Sequence, residues 1–247
     1  MKRKLAWVAV VLAVAAGAAA WFAIARTRNR VQIEFDIQIN RQAVYLSAYA
    51  EPPQFAIWLE DPDNGERQTV FVTYRISRGD WEGKADVPVA LPHWHSIFRG
   101  ATAVANEREI AVSGATPKEE FFRVRAEVRP GSRWTCRIEM NLAGDYNEYY
   151  PRFNPVTMHE DEFACGQPAL LYNAHIIADE GLTFTPRLEA MSLWKDGVHT
   201  LAPVDSTITS ANRVFDQMTI EIVRPKPRII EKTDPGNQDV LKTQNIE

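Results

Sequence analysis

"VQIEFDIQI", residues 31–39, decides the fold class. Val31, Ile33, Phe35, Ile37 and Ile39 fall on one side of an extended chain, and Gln32, Glu34, Asp36 and Gln38 fall on the other. A period of two is the signature of a strand with one buried face. The alternation returns in FAIWLE (55–60), TVFVTYRI (69–76), FFRVRAEVR (121–129), SRWTCRIEM (132–140), PALLYNAHIIA (168–178) and MTIEIV (218–223). Charges set between the apolar positions point to sheets with one wet face. LEAMSLW (188–194) reads instead as a short helical or irregular piece.

The punctuation fits hairpins. DPDNGE (61–66) and RPGS (129–132) contain the Pro, Asn and Gly that preset turn dihedrals. Strands of this number and spacing predict an all-β fold, an immunoglobulin-like antiparallel β-sandwich over residues 31–223, with elaborated loops at 80–110 and 143–167. Residues 224–247 are polar and Pro-containing, and read as an extended or disordered tail.

Residues 1–30 read as a membrane segment. Basic MKRK precedes 21 uncharged residues, Leu5 to Ala25, and RTRNR follows. As a helix the run would be about 31 Å long, enough for one N-terminal transmembrane helix. The small-residue endings at Ala20 and Ala25 leave signal cleavage, and hence secretion, as the other reading. An anchored chain would sit in the inner membrane with its C-terminal domain in the periplasm. Residues 1–30 hold six of the 28 basic side chains and none of the 32 acidic ones, which leaves a net charge of −10 beyond them. An acidic domain is a poor partner for nucleic acid. The two cysteines, Cys136 and Cys165, admit either one disulfide or a buried free thiol at Cys136.

Four stretches carry candidate chemistry. Asp61 and Asp63 in DPDNGE stand two apart, as in a calcium loop, but the later bidentate Glu is missing and a turn is the better reading. LPHWHSIF places His93 and His95 on one side of an extended segment around a half-buried Trp94. A metal would need a third ligand from elsewhere, so no metal site is assigned. GDYNEYYPRFNP gathers Tyr146, Asn147, Glu148, Tyr149, Tyr150 and Phe153. Aromatic rings with polar tips suit a recognition surface, and they equally suit pinning a long loop to the sandwich. Ser113, Gly114, Ala115 and Thr116 form an SGAT tetrapeptide, similar to the motif whose Thr hydroxyl accepts flavin mononucleotide (FMN). Ile110 stands where that motif has Asp, and Pro117 follows the Thr, so a structural turn is the favoured reading. No nucleophile elbow, metalloprotease motif or phosphate loop is present.

Taken in order, FAIWLEDPDNGERQTVFVTYR, AVSGATPK, GDYNEYYP and GQPALLYNAHI resemble an uncharacterised family of predicted periplasmic β-rich domains, found near flavin transferases and PepSY-type membrane proteins. The resemblance covers roughly residues 31–180 and implies a setting: extracytoplasmic flavin-linked electron transfer beside a membrane redox protein or a flavin transferase. The expectation is a membrane-anchored, non-enzymatic accessory domain. A binding module for a protein or polysaccharide, using the Tyr146–Phe153 loop, is the alternative, and a metal-dependent enzyme built on His93 and His95 ranks last.

Overall fold

The computed structural model describes residues 29–78, 80–81, 84–85, 89–98, 113–114, 120–195 and 197–225, with Gly17 and Trp21. The expected membrane segment therefore lies almost wholly outside the described residues, as do Ala115, Thr116 and the tail from residue 226. No helix among the described residues is long and apolar enough to cross a membrane.

The strands, in chain order, are β1 (Val31–Ile39), β2 (Gln54–Glu60), β3 (Arg67–Thr73), β4 (Asp80–Trp81), β5 (Lys84–Ala85), β6 (Ser113–Gly114), β7 (Phe121–Val128), β8 (Arg133–Asn141), β9 (Ala169–Ile177), β10 (Thr183–Phe184), β11 (Arg187–Lys195), β12 (Val198–Ala202) and β13 (Phe215–Val223). Short helices α1 (Arg41–Leu46), α2 (Tyr74–Arg78) and α3 (Pro92–Phe98) interrupt them. A four-stranded antiparallel sheet has the order β10-β13-β1-β7. A seven-stranded sheet has the order β12-β11-β9-β8-β2-β3-β6, antiparallel except for the β3–β6 pair. β4 and β5 form a separate ribbon.

The two large sheets share one core, which makes the fold all-β and sandwich-like. Ile33, Phe35 and Ile220 of the small sheet and Phe55, Ile57 and Leu170 of the large one are fully buried in it. Phe55 of β2 meets Phe122 of β7 edge-on at 5.1 Å and Phe215 of β13 at 5.6 Å. One ring thus ties the large sheet to two strands of the small one.

Alternation along β1 is as expected, but its polar side is only partly wet. Glu34 is buried beneath Arg125, which donates to it, and Arg123 Nε donates to Asp36 at 2.6 Å. Opposite charges on neighbouring strands cover that face.

The large sheet corrects the expectation of a wet face. Its outer side carries a second apolar cluster of Ala56, Trp58, Val72, Leu171 and Ala190, covered by Ile76 of α2, Leu91, and Trp94 of α3. β2 is consequently buried along both faces, with burial relieved only at Glu60. The run FAIWL is continuous because neither side meets water.

Three further expectations change, and the alternative left open at the cysteines narrows. The strand expected to run to Ile76 ends at Thr73, where the chain enters α2. RPGS is a corner between sheets: it takes the chain from β7 in the small sheet to β8 in the large one, with Gly131 at φ +73 and its N–H on Ala178 O. LEAMSLW lies within strand β11, whose pairing with β9 shifts between Leu188 and Ala190; this bulge breaks the alternation that would have marked it. Cys136 faces the inner core and Cys165 packs on the outer cluster, so the sheet separates them and they form no disulfide with each other.

DPDNGE does form the β2–β3 hairpin. Asp61 N donates to Glu66 O at 2.8 Å, and Asp61 Oδ1 accepts from Asp63 N at 2.8 Å. The carboxylate that looked like a calcium ligand closes the turn instead. A second hairpin, β11 to β12, closes between Lys195 and Val198 with Gly197 at φ +80.

Because Phe55 joins the sheets, Phe55→Ala is expected to cost about 3–5 kcal/mol of stability, read from urea unfolding. A loss below about 1 kcal/mol would show that the sheets hold together without this ring.

Candidate functional site

The site is built by the connection from β8 to β9, residues 142–168. Leaving β8, the chain buries Leu142 and Ala143 and turns at Gly144, φ +71. A Cβ there would lie 2.5 Å from the Tyr49 ring. Gly144 N donates to Ala164 O at 2.8 Å, and Gly144 O accepts from Ala48 N at 3.0 Å. The returning leg crosses at Gly166, φ +67, where a Cβ would lie 2.6 Å from the backbone oxygen of Asp145. The two legs are so close at Asp145 and Gly166 that no side chain fits between them.

Buried side chains lock this crossing. Gln167 Nε2 donates to Asp145 Oδ2 at 2.8 Å and to Ser210 Oγ at 2.7 Å, and its Oε1 accepts from Thr209 N at 2.8 Å. Ser210 Oγ donates to Asp145 Oδ1 at 2.6 Å. Burial raises the Asp145 carboxyl above its ordinary range, opposed by the Ser210 bond. Asn141 Nδ2 donates to Gln167 O at 3.0 Å, which carries the network back into β8.

The tyrosine stretch then divides by direction. Asn147 Oδ1 accepts from Tyr149 N at 2.9 Å and Tyr150 N at 2.8 Å, while its Nδ2 donates to Thr207 O and Thr209 Oγ1. Tyr150 OH meets Thr207 Oγ1 at 3.1 Å, and Tyr146 OH meets Tyr49 OH at 3.3 Å. Burial, then the bond to Tyr49, pushes the Tyr146 phenol up. Tyr146, Asn147 and Tyr150 therefore pin the loop. Tyr149, 52% exposed, and Glu148 point outward. Pinning and presentation are properties of different residues in one stretch, rather than rival descriptions of it.

Tyr149, Pro151 and Asp161 form the shared wall of two adjoining depressions. One, of about 350 Å³, is lined by Tyr149, Pro151, Phe163, Pro168, Leu193 and Trp194 among others. The second, of about 570 Å³, takes Glu148, Asn154, His159, Glu160 and Asp161 from the loop tip. The tip is held locally: Asn154 Oδ1 accepts from Val156 N and Thr157 N, and Arg152 Nε donates to Glu160 at 2.8 Å. Trp194, Leu193 and Gln167 were not singled out from the sequence, where the Gly166-Gln167 pair just before a strand was the available signal.

The histidine stretch is helical, which corrects the extended reading. Residues two apart on a helix lie about 200° around its axis, so His93 and His95 do not share a side. Trp94 is buried rather than half-buried. No local side chain caps α3; Glu139 of β8 does so, its Oε1 accepting from His93 N at 3.0 Å and its Oε2 from Trp94 N at 2.7 Å. The N-terminal dipole favours that carboxylate. Ser192 adds a hydrogen bond, yet burial dominates and pushes the Glu139 carboxyl up to about 7. The His93 ring lies 5.7 Å from Trp58 and 5.0 Å from His199. Burial first, then His199 and Arg137, bring His93 down to about 4, so it is neutral at pH 7. Its Nδ1, His199 Nε2 and Trp94 Nε1 are buried without hydrogen bonds. No group of three metal-ligating side chains occurs among the described residues.

Of the SGAT stretch, Ser113 and Gly114 form β6, parallel to Val72 and Thr73 at the edge of the large sheet. Ala115 and Thr116 lie outside the described residues.

Gly166→Ala forces a side chain into the leg crossing and is expected to cost about 2 kcal/mol or more, with faster amide exchange across 144–167. A wild-type exchange pattern would reject the crossing as the loop's anchor. For Glu139, the raised folded-state value means that the folded chain keeps a proton which the unfolded chain releases. Stability is thus greatest below the ordinary carboxylate range and falls as pH rises to about 7. Unfolding free energy is expected to drop on the order of 2 kcal/mol between pH 5 and pH 8, with a much smaller drop in Glu139→Gln. An equal drop in both proteins would assign the effect to other groups. Comparison with protein-family models, curated proteins and solved structures returned no match to this chain.

Proposed function

We propose that the chain is a non-enzymatic accessory module that binds a partner through the Tyr149 groove. In this reading an immunoglobulin-like sandwich carries the groove, and residues 1–30 hold it at the inner membrane, facing the periplasm. The observation that carries the reading is the division within one loop: Asn147, Tyr150 and Gln167 fix the backbone from inside, while Tyr149 stays exposed beside a ready-formed depression. A surface ordered before binding loses little entropy when a ligand arrives, which suits recognition. The carboxylates support a structural rather than a proton-transfer role: both Asp161 oxygens accept backbone N–H groups, and Glu160 pairs with Arg152.

The apolar run from Leu5 to Ala25 supports the anchor, and the four sequence blocks support a partner in extracytoplasmic flavin-linked electron transfer. FMN attachment at Thr116 is no part of this proposal.

A photoreactive phenylalanine analogue placed at Tyr149 in the full-length chain, expressed in cells, is expected to yield one discrete cross-linked adduct. The same group at Val198, an exposed residue of β12, is the control. Equal, diffuse labelling from both positions would remove the groove as the working surface.

A further inference from the structure

We propose that the groove takes a basic, proline-containing segment of a partner protein in an extended, polyproline-type conformation. The inference rests on the binding-module reading and gives it a ligand class.

The first argument is hydrogen-bond saturation. A sugar needs convergent, unoccupied donors and acceptors around an aromatic platform. Here most polar side chains in the groove are already committed. Asp161 Oδ1 and Oδ2 accept from Phe163 N and Gly166 N at 3.2 and 3.0 Å. Gln167 is engaged at both ends of its amide, and Asn154 Oδ1 accepts twice. Ser192 Oγ accepts from His93 N and donates to Glu139. Beside these committed groups the first depression offers apolar surface from the Tyr149 ring, Pro151, Phe163, Pro168 and Trp194. A polyproline-type chain has no internal hydrogen bonds, arrives with its conformation preset, and packs proline rings between aromatic walls.

The second argument is charge. Glu148, Glu160 and Asp161 line the second depression, and the one arginine of the loop, Arg152, is already bound to Glu160. Glu148 is exposed at the lip beside Tyr149 and makes no hydrogen bond or ion pair among the described residues. The apolar depression receives the proline rings, and the acidic one receives a Lys or Arg set two or three residues away.

The probe is fluorescein-labelled Pro-Pro-Arg-Pro-Pro-Arg-Pro, titrated with the full-length chain in detergent micelles and followed by anisotropy. Saturable binding is expected, weakened at least about tenfold by Tyr149→Ala and by Trp194→Ala. Glu148→Gln is expected to weaken it about threefold and to reduce its salt sensitivity. Tyr149 is exposed, so its variant keeps the fold even where Trp194→Ala does not. Absence of saturable binding overturns the proposal, and so does equal affinity for an all-proline heptamer. Binding of cellohexaose at Tyr149 in place of the peptide overturns the ligand class while the module reading stands. A cross-link at position 149 without peptide binding has the same meaning, whereas loss of both removes the module reading too.

Discussion

A sheet covered on both faces cannot hand its polar groups to water, and this constraint organises the molecule. The seven-stranded sheet has the sandwich core on one side and α2, α3 and the Trp58 cluster on the other. Every polar side chain along its middle must therefore find a partner inside the protein or go without. Glu139, fully buried, takes the N-terminus of α3; Asn141 takes the backbone of Gln167. The groove exists because that internal accounting reaches outward through Gln167 to Asp145 and Ser210, and fixes the loop that bears Tyr149.

The sequence pattern located the strands wherever one face is apolar and the next residue is polar, as in β1 and β7. It was less informative where both faces are buried. FAIWL and PALLY are continuous apolar runs, and that continuity is itself the sign of a covered sheet. The RPGS turn shows that the chain reverses, but turn chemistry does not say which sheet receives the next strand. α3 was invisible for a clear reason: its cap is a carboxylate 46 residues further along, so no capping residue precedes PHWHSIF. In β11 the bulge near Glu189 switches the parity of the pattern midway.

The site was half legible. A cluster of tyrosines with Asn and Glu announces a loop with a task. Which rings turn inward depends on Thr207 and Thr209, some 60 residues away, and on Tyr49 in the segment after α1. The groove wall from β11, Leu193 and Trp194, is supplied by tertiary proximity and has no local signature.

β1 and β13 pair antiparallel from Gln32 opposite Val223 to Ile39 opposite Phe215. Both flanks of the sandwich thus leave from one pole, at Arg30 and Arg224. The anchors of the tyrosine loop, Thr207 to Ser210, enter at the other, one nine-residue strand away, roughly 30 Å. A surface met at the Arg30 and Arg224 end would thus lie one strand length from the residues that anchor the tyrosine loop.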